Sequence, residues 1–475
     1  MQKLILALCL TLIFTLSPSD IPNYSKYYKP YEFTDMDMFN SASKWSWHRY
    51  KQSEHFFVFW EAGFGDNPND ISVPNNLRVD IDDLLEKAEQ FYTTNIVKTK
   101  FSEVGVGKSY LDIYKMEIYL LYTEEWLATG SGYDNVIGAL WVNPSTCQPV
   151  GSVIAHEIGH SFQYQVYCDQ IYTKQTDEWT FQSGFRYGYE GSNGGNGFWE
   201  QTAQWQSFQD YPDEMFYAWT FGEWEDNYHR HFEHELMRYG SYWLHVYWAE
   251  KHGVEAIGNI WKNSKYPDDA ITTYMKLYCN NNYDTLREEL FDYAIKMATY
   301  DLDTLRGYST DFIDRYKTKF YYNSNGYYQI SYANCPGATG FNVIQLSVPS
   351  SSNRKIYVKF EALEPGSALV SGEQTVKEDG EGITVYNYNN VNKDNVGYRY
   401  GFVTLNNDGS RSYSKTYSKT STKVSYSVPK NTEKLFFVVQ GSPNTYIHSA
   451  WDDDETTDAQ FPYQIQLTNT ELVNL

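Results

Sequence analysis

The run Pro149-Val-Gly-Ser-Val-Ile-Ala-His-Glu-Ile-Gly-His-Ser-Phe-Gln-Tyr-Gln-Val166 sets two histidines and a glutamate among apolar and weakly polar neighbours. Its length and composition predict a buried helix over 149–166. On a helix, residues four apart lie one turn above the other, so His156 and His160 reach toward a single point and can share one cation. Zinc suits two imidazoles placed this way. Glu157 is rotated about 100° round the axis from His156, which sets its carboxylate beside the open position of such a cation. From there it can take a proton from a water that the metal has acidified. Val153, Ile154, Ala155 and Phe162 surround the motif, and buried among them the three polar groups would need other partners if no metal were bound.

A zinc ion that leaves one corner open to solvent needs a third protein ligand. A pattern in which Gly and a third His follow the second His by three and six residues is excluded, because those positions are Gln163 and Val166. The helical run Gly197-Phe-Trp-Glu-Gln-Thr-Ala-Gln-Trp205 offers a carboxylate, Glu200, beside apolar Trp199 and Ala203. Glu178 and Glu190 compete for the role from a polar, glycine-rich stretch. An acid near a helix start can also serve only to complement the helix dipole.

With Trp199-Glu200 and Ala203 downstream of His156 to His160, the chain resembles the gluzincin group of zinc peptidases, the thermolysin-like branch. The resemblance covers residues 54–300, and Gln201 departs from it where many relatives carry Gly. It implies a zinc metallopeptidase with His156, His160 and Glu200 on the metal and Glu157 as general base. The segment Tyr239-Gly-Ser-Tyr-Trp-Leu244 is similar to the helix that follows the ligand helix in several gluzincins. That likeness implies Tyr239 as the oxyanion donor, with His234 and Tyr242 behind it. It also implies that the strand ahead of the zinc helix, here 136–142, is the edge strand that pairs with an extended peptide.

Outward from the motif, residues 54–60 read as a buried strand, 78–91 as an amphipathic helix, and 116–122 and 136–142 as strands. Helices are expected over 199–208, 236–252, 254–261, 270–278 and 285–300. Beyond about residue 321 the chain turns to short β-branched and aromatic runs at 343–348, 355–360, 382–386, 399–404, 423–428 and 434–439, with Asn407-Asp-Gly409 as a turn. The expected fold is α+β: a small mixed sheet, the zinc-binding helix and a helical subdomain over 20–320, then an all-β antiparallel sandwich over 321–475. Residues 1–19, with Lys3 ahead of the apolar run 4–16, read as a signal peptide, and export is expected.

A net charge of −22 over 475 residues argues against nucleic acid as the partner. No later run is apolar for the length of a bilayer, so an integral membrane protein is not expected. Protein or glycoprotein is the expected substrate. Aromatic residues make up 18% of the chain, 45 of them tyrosines, which fill sheet faces and can also stack on glycans or peptides. The competing reading is accordingly an exported glycan- or protein-binding module on a peptidase-like scaffold, with zinc structural or lost. Cys147, Cys168, Cys279 and Cys335 can pair in three ways. His229, His231 and His234 form a candidate second metal site or a polar rim. The loop 191–197 reads as a lid or a connector, and Asp452-Asp-Asp-Glu455 as a calcium-binding or merely solvated acidic turn.

Overall fold

A computed structural model describes residues 23–175, 196–265, 268–350, 352–371, 375–378, 382–385, 393–448 and 458–473. The expected signal peptide, Glu178, Glu190, residues 191–195 of the glycine-rich loop and the acidic run 452–455 lie outside them. Among the described residues the architecture is α+β. A five-stranded mixed sheet holds β1 (Tyr50–Gln52), β2 (Phe56–Trp60), β3 (Met116–Leu120), β4 (Ala128–Tyr133) and β5 (Ile137–Val142), in the order β1-β2-β3-β5-β4. The central β2, β3 and β5 run parallel, and β1 and β4 lie antiparallel on the two edges. The central strands are the uncharged or nearly uncharged runs, as burial on both faces requires.

This order corrects one expectation. The run 136–142 is interior, and the edge belongs to Ala128-Thr-Gly-Ser-Gly-Tyr133, a polar, glycine-rich stretch without a strand-like pattern. Asp134 and Asn135, both with positive φ, turn β4 back along β5. Such residues tolerate that conformation better than most, and the apolar β5 then takes the buried side.

Helix α1 (Ile81–Thr93) starts where the Asp80 carboxylate accepts from the Asp82 and Asp83 amides, and it buries Ile81, Leu84, Leu85, Ala88 and Phe91. Helix α2 (Ser152–Tyr172) is buried on most of its circumference, packed between the sheet, α1 and α3 (Asn196–Ser207). Helices α4 (Thr220–Asn227), α5 (Trp243–His252), α6 (Ala256–Asn263), α7 (Ala270–Tyr278), α8 (Tyr283–Met297) and α9 (Asp303–Arg306) follow. The expected helix over 236–252 is broken into a 3-10 turn at Glu235–Met237, a bend, and α5. The bend seats Gly240 against α4, where a Cβ would come within 2.9 Å of the Trp224 amide nitrogen.

The C-terminal region is β-rich. One antiparallel sheet pairs β6 (Phe320–Tyr322), β7 (Tyr328–Ile330), β9 (Lys355–Ala362), β14 (Ser421–Ser427) and β16 (Tyr463–Thr468); a second pairs β8 (Phe341–Leu346), β12 (Tyr398–Asn406), β13 (Arg411–Tyr413) and β15 (Thr432–Gly441). A separate hairpin joins β10 (Thr375–Glu378) to β11 (Gly382–Val385). The second sheet is buried on both faces. Leu435, Phe437 and Val439 of β15 enter the core shared with the first sheet, while Phe436 and Val438 enter the core of the helical region. That double burial explains why residues 435–439 of β15 form an unbroken apolar run.

Cys147, Cys168, Cys279 and Cys335 are buried free thiols, so none of the expected pairings is present. No helix among the described residues is long and apolar enough to cross a membrane. Inside the five-stranded sheet, Glu117 is fully buried, with Oε2 accepting from the Tyr119 hydroxyl at 2.6 Å and Oε1 unpartnered. Burial pushes its carboxyl well above the usual range, outweighing the Tyr119 bond, and the charge of Asp134 adds to the rise. A group held protonated in this way stabilises the fold below about pH 4.5, and that contribution drains away as pH climbs toward the folded-state value. The stability of Glu117→Gln relative to wild type should therefore rise by up to about 1.4 kcal/mol per pH unit above that point. Urea unfolding at pH 5 and pH 8 measures it, and a pH-independent difference would refute it.

Candidate metal centre

Helix α2 presents His156 and His160 on the face turned to α3, and α3 presents Glu200 back to them. His156 Nε2 lies 3.0 Å from Glu200 Oε2, His160 Nε2 lies 3.2 Å from the same oxygen, and the two Nε2 atoms are 3.0 Å apart. Tetrahedral zinc with bonds near 2.0–2.1 Å sets its ligand atoms about 3.3 Å apart, so the triangle has the size that ion requires. Both rings are oriented from behind: His156 Nδ1 faces Gln204 Oε1 at 3.1 Å and His160 Nδ1 faces Gln163 Oε1 at 3.0 Å. An imidazole that donates through Nδ1 keeps its lone pair on Nε2. Two lone pairs and a carboxylate oxygen therefore face one point, which is repulsive until a proton or a cation stands between them. The side chains of His156, His160 and Glu200 are 11, 12 and 23% exposed, so the triangle is shielded yet reachable.

Without metal, protons answer that demand. Burial by itself would lower the His160 pKa, but the Glu200 charge and hydrogen bond outweigh it and push the value up to about 9. Glu200 in turn, although burial acts upward on it, is held well below the carboxylate range by the His160 charge and by bonds from both histidines. The donor set fits zinc by type and by spacing.

Glu157 is not part of the triangle. Its Oε2 accepts from the Gly130 amide at 2.6 Å, which ties it to the edge strand. The absence of a side chain at Gly130 allows this approach, since a Cβ there would stand 1.9 Å from the Glu157 carbonyl oxygen. Tyr239 lies across the site in the bend before α5, its ring centroid 6.3 Å from that of His156. Burial, helped by the Glu200 and Glu157 charges, pushes its hydroxyl up to about 12, so it is a donor at neutral pH. These groups line a cleft of about 610 Å³ whose lining also includes Trp126, Ala128, Thr129, Ala218 and Trp219.

Other expected residues lie elsewhere. Tyr242 is buried with its hydroxyl on the Met215 carbonyl oxygen at 2.5 Å, and His234 faces Asp458 and Arg230, so neither backs Tyr239. His229, His231 and His234 are buried and form no rim. His231 Nε2 and His234 Nε2 each stand 3.2 Å from an Asp458 oxygen, and the Arg230 guanidinium, 2.7 Å from His234 Nε2, supplies the positive charge a second metal would bring. Gln201 turns away from the triangle and donates to the Phe232 carbonyl at 2.7 Å. Sequence reasoning missed the edge strand, Trp126 and the glutamines at 163, 204 and 206. Asp134-Asn135 just ahead of the apolar run 136–142 was the available sign of a hairpin.

The profile of a family of unknown function, DUF6055, matches residues 20–474. No curated protein and no solved structure matches the chain.

The contact between β4 and α2 leaves no room for a methyl group. Gly130→Ala should lower stability by about 1–3 kcal/mol, the usual cost of overpacking. Urea unfolding reads the shift, and an unchanged midpoint would contradict the close seating.

Proposed function

We propose that this chain, which belongs to the DUF6055 family of unknown function, is an exported zinc-dependent peptidase acting on protein or glycoprotein substrates. The observation that carries the reading is a triangle of two imidazole nitrogens and one carboxylate oxygen, with edges of 3.0 to 3.2 Å, beside a second carboxylate that stays outside it. His156, His160 and Glu200 would hold the metal, in a gluzincin-like arrangement. Bound there, zinc supplies a Lewis acid and, by acidifying water, a nucleophile at neutral pH.

The remaining chemistry belongs to the chain. Glu157, held at Oε2 by the Gly130 amide, has its other oxygen to take the proton of the attacking water and pass it to the departing amine. The Tyr239 hydroxyl, protonated at neutral pH, donates to the oxyanion that develops on the scissile carbonyl. Strand β4, an edge strand along the cleft, offers main-chain groups to an extended peptide. Trp126 and Trp219, 66 and 67% exposed, line the cleft as apolar contacts for substrate side chains or sugars. The apolar run at 4–16 supports export.

The purified protein should contain one zinc and cleave casein. Glu157→Gln should keep the metal and slow cleavage about 10²–10⁴-fold, whereas Glu200→Ala should lose the metal. Tyr239→Phe should lower kcat about 10²-fold with KM little changed. Absence of zinc from the wild type, or full turnover by Glu157→Gln, would sink the reading. Zinc bound without turnover on any peptide would turn it toward a binding protein on the same scaffold.

A further inference from the structure

His160 is oriented by Gln163, one helical turn along α2, and the amide of Gln163 has two further commitments. Its Nε2 donates to the main-chain carbonyl of Trp199 at 3.0 Å and to Gln206 Oε1 at 3.1 Å. Trp199 is the residue before Glu200, so a single side chain bonds both a histidine of the triangle and the backbone that carries its carboxylate. A carbonyl can only accept, so the Trp199 contact fixes which end of the Gln163 amide faces which way. The Gln206 contact fixes it a second time. Gln206 Nε2 donates to Asn95 Oδ1 at 2.6 Å, and Asn95 Nδ2 donates to the Phe91 carbonyl at 2.9 Å. Each amide in this file is oriented by the one before it, starting from the acceptor-only carbonyl of Phe91. Gln163, Gln206 and Asn95 are 3, 1 and 2% exposed, so water does not compete for these bonds.

From this double anchoring we propose that Gln163 is the positioning residue of the centre. It holds His160 as the tautomer with its proton on Nδ1 and its lone pair on Nε2, and it braces α2 to α3 at the carboxylate ligand. The inference rests on the proposed zinc site. It goes beyond that reading by making the orientation of a ligand depend on a buried amide whose own orientation is set by two main-chain carbonyls on different helices. A leucine at 163 keeps the volume roughly but removes both the acceptor for His160 and the donor to α3. A glutamate restores the acceptor alone.

The test is the zinc affinity of the metal-free, full-length protein, measured against a chromogenic chelator, together with the visible spectrum of the cobalt-substituted form. Gln163→Leu should weaken zinc binding about 10- to 100-fold, the usual loss when a partner behind a ligand is removed, and should alter the cobalt bands. Gln163→Glu should return the affinity to within a few-fold of wild type. A purely structural role predicts a lower unfolding midpoint with unchanged affinity and spectrum in the folded Gln163→Leu protein, and that result would overturn the proposal. If Gln163→Leu does not fold, Gln163→Glu decides: retained affinity supports the proposal, and a hundredfold loss overturns it. Absence of zinc from the wild type would instead refute the metal site itself, which separates the two failures.

Discussion

The centre is governed by one electrostatic demand: three lone-pair-bearing atoms, none more than 3.2 Å from another, are held where water cannot fully screen them. Either protons or a divalent ion placed among them turns the repulsion into attraction. Convergence at this scale requires α2, α3 and β4 to be seated within a few tenths of an ångström. The chain meets that with missing side chains and neutral amides rather than with further charge. Gly130 lets β4 lie on α2, and Gln163 and Gln204 each accept from a histidine without adding a carboxylate to a site that already has two. An acid in either place would raise the basicity of its histidine but would also add a buried negative charge.

Seating of this kind has to be supported from behind. The second C-terminal sheet supplies part of that support, because alternate residues of β8, β12 and β15 belong to two different cores. A strand with both faces buried cannot slip by one residue without exchanging its two side-chain sets, so its register is strongly specified. Helix α8 packs on β12 and β15, and the buried cluster of Arg230, His231, His234 and Asp458 ties the segment ahead of the Tyr239 bend to the same β-rich region. The β-rich C-terminal region contributes no residue to the cleft among those described.

What could be read from sequence follows from which interactions are local. The two histidines and Glu157 declare themselves because helix geometry alone sets their relation. Glu200 is legible one step less directly, since its helix is readable from pattern but the facing of α3 on α2 is not. Strands such as β2, β5 and residues 435–439 were legible because burial on two faces writes a continuous apolar run. Strand β4 was not, because its glycines answer to the backbone of α2, a contact far away in sequence. The break at 238–242 escaped for a related reason: the pattern there is helical, and a close approach to α4 at Gly240 overrides it. His231 and His234 read as a polar rim or a second metal site because composition cannot reveal that an arginine and an aspartate share their buried pocket.

The same division separates chemistry from recognition within the cleft. His156, Glu157, His160 and Glu200 stand on the interiors of two helices, and their partners Gln163 and Gln204 stand on those helices too, so their geometry is as rigid as the packing. Part of the lining is built otherwise: Trp126 precedes β4, Ala218 and Trp219 precede α4, and Tyr239 lies in the bend before α5. Loop positions can change without disturbing the core, because no ladder or helix hydrogen bond depends on them. On the proposed function, such a cleft can hold its reactive geometry constant while the loop part of its lining is altered to suit different substrates. It follows that a motif read from sequence identifies the reaction more securely than it identifies what the cleft accepts.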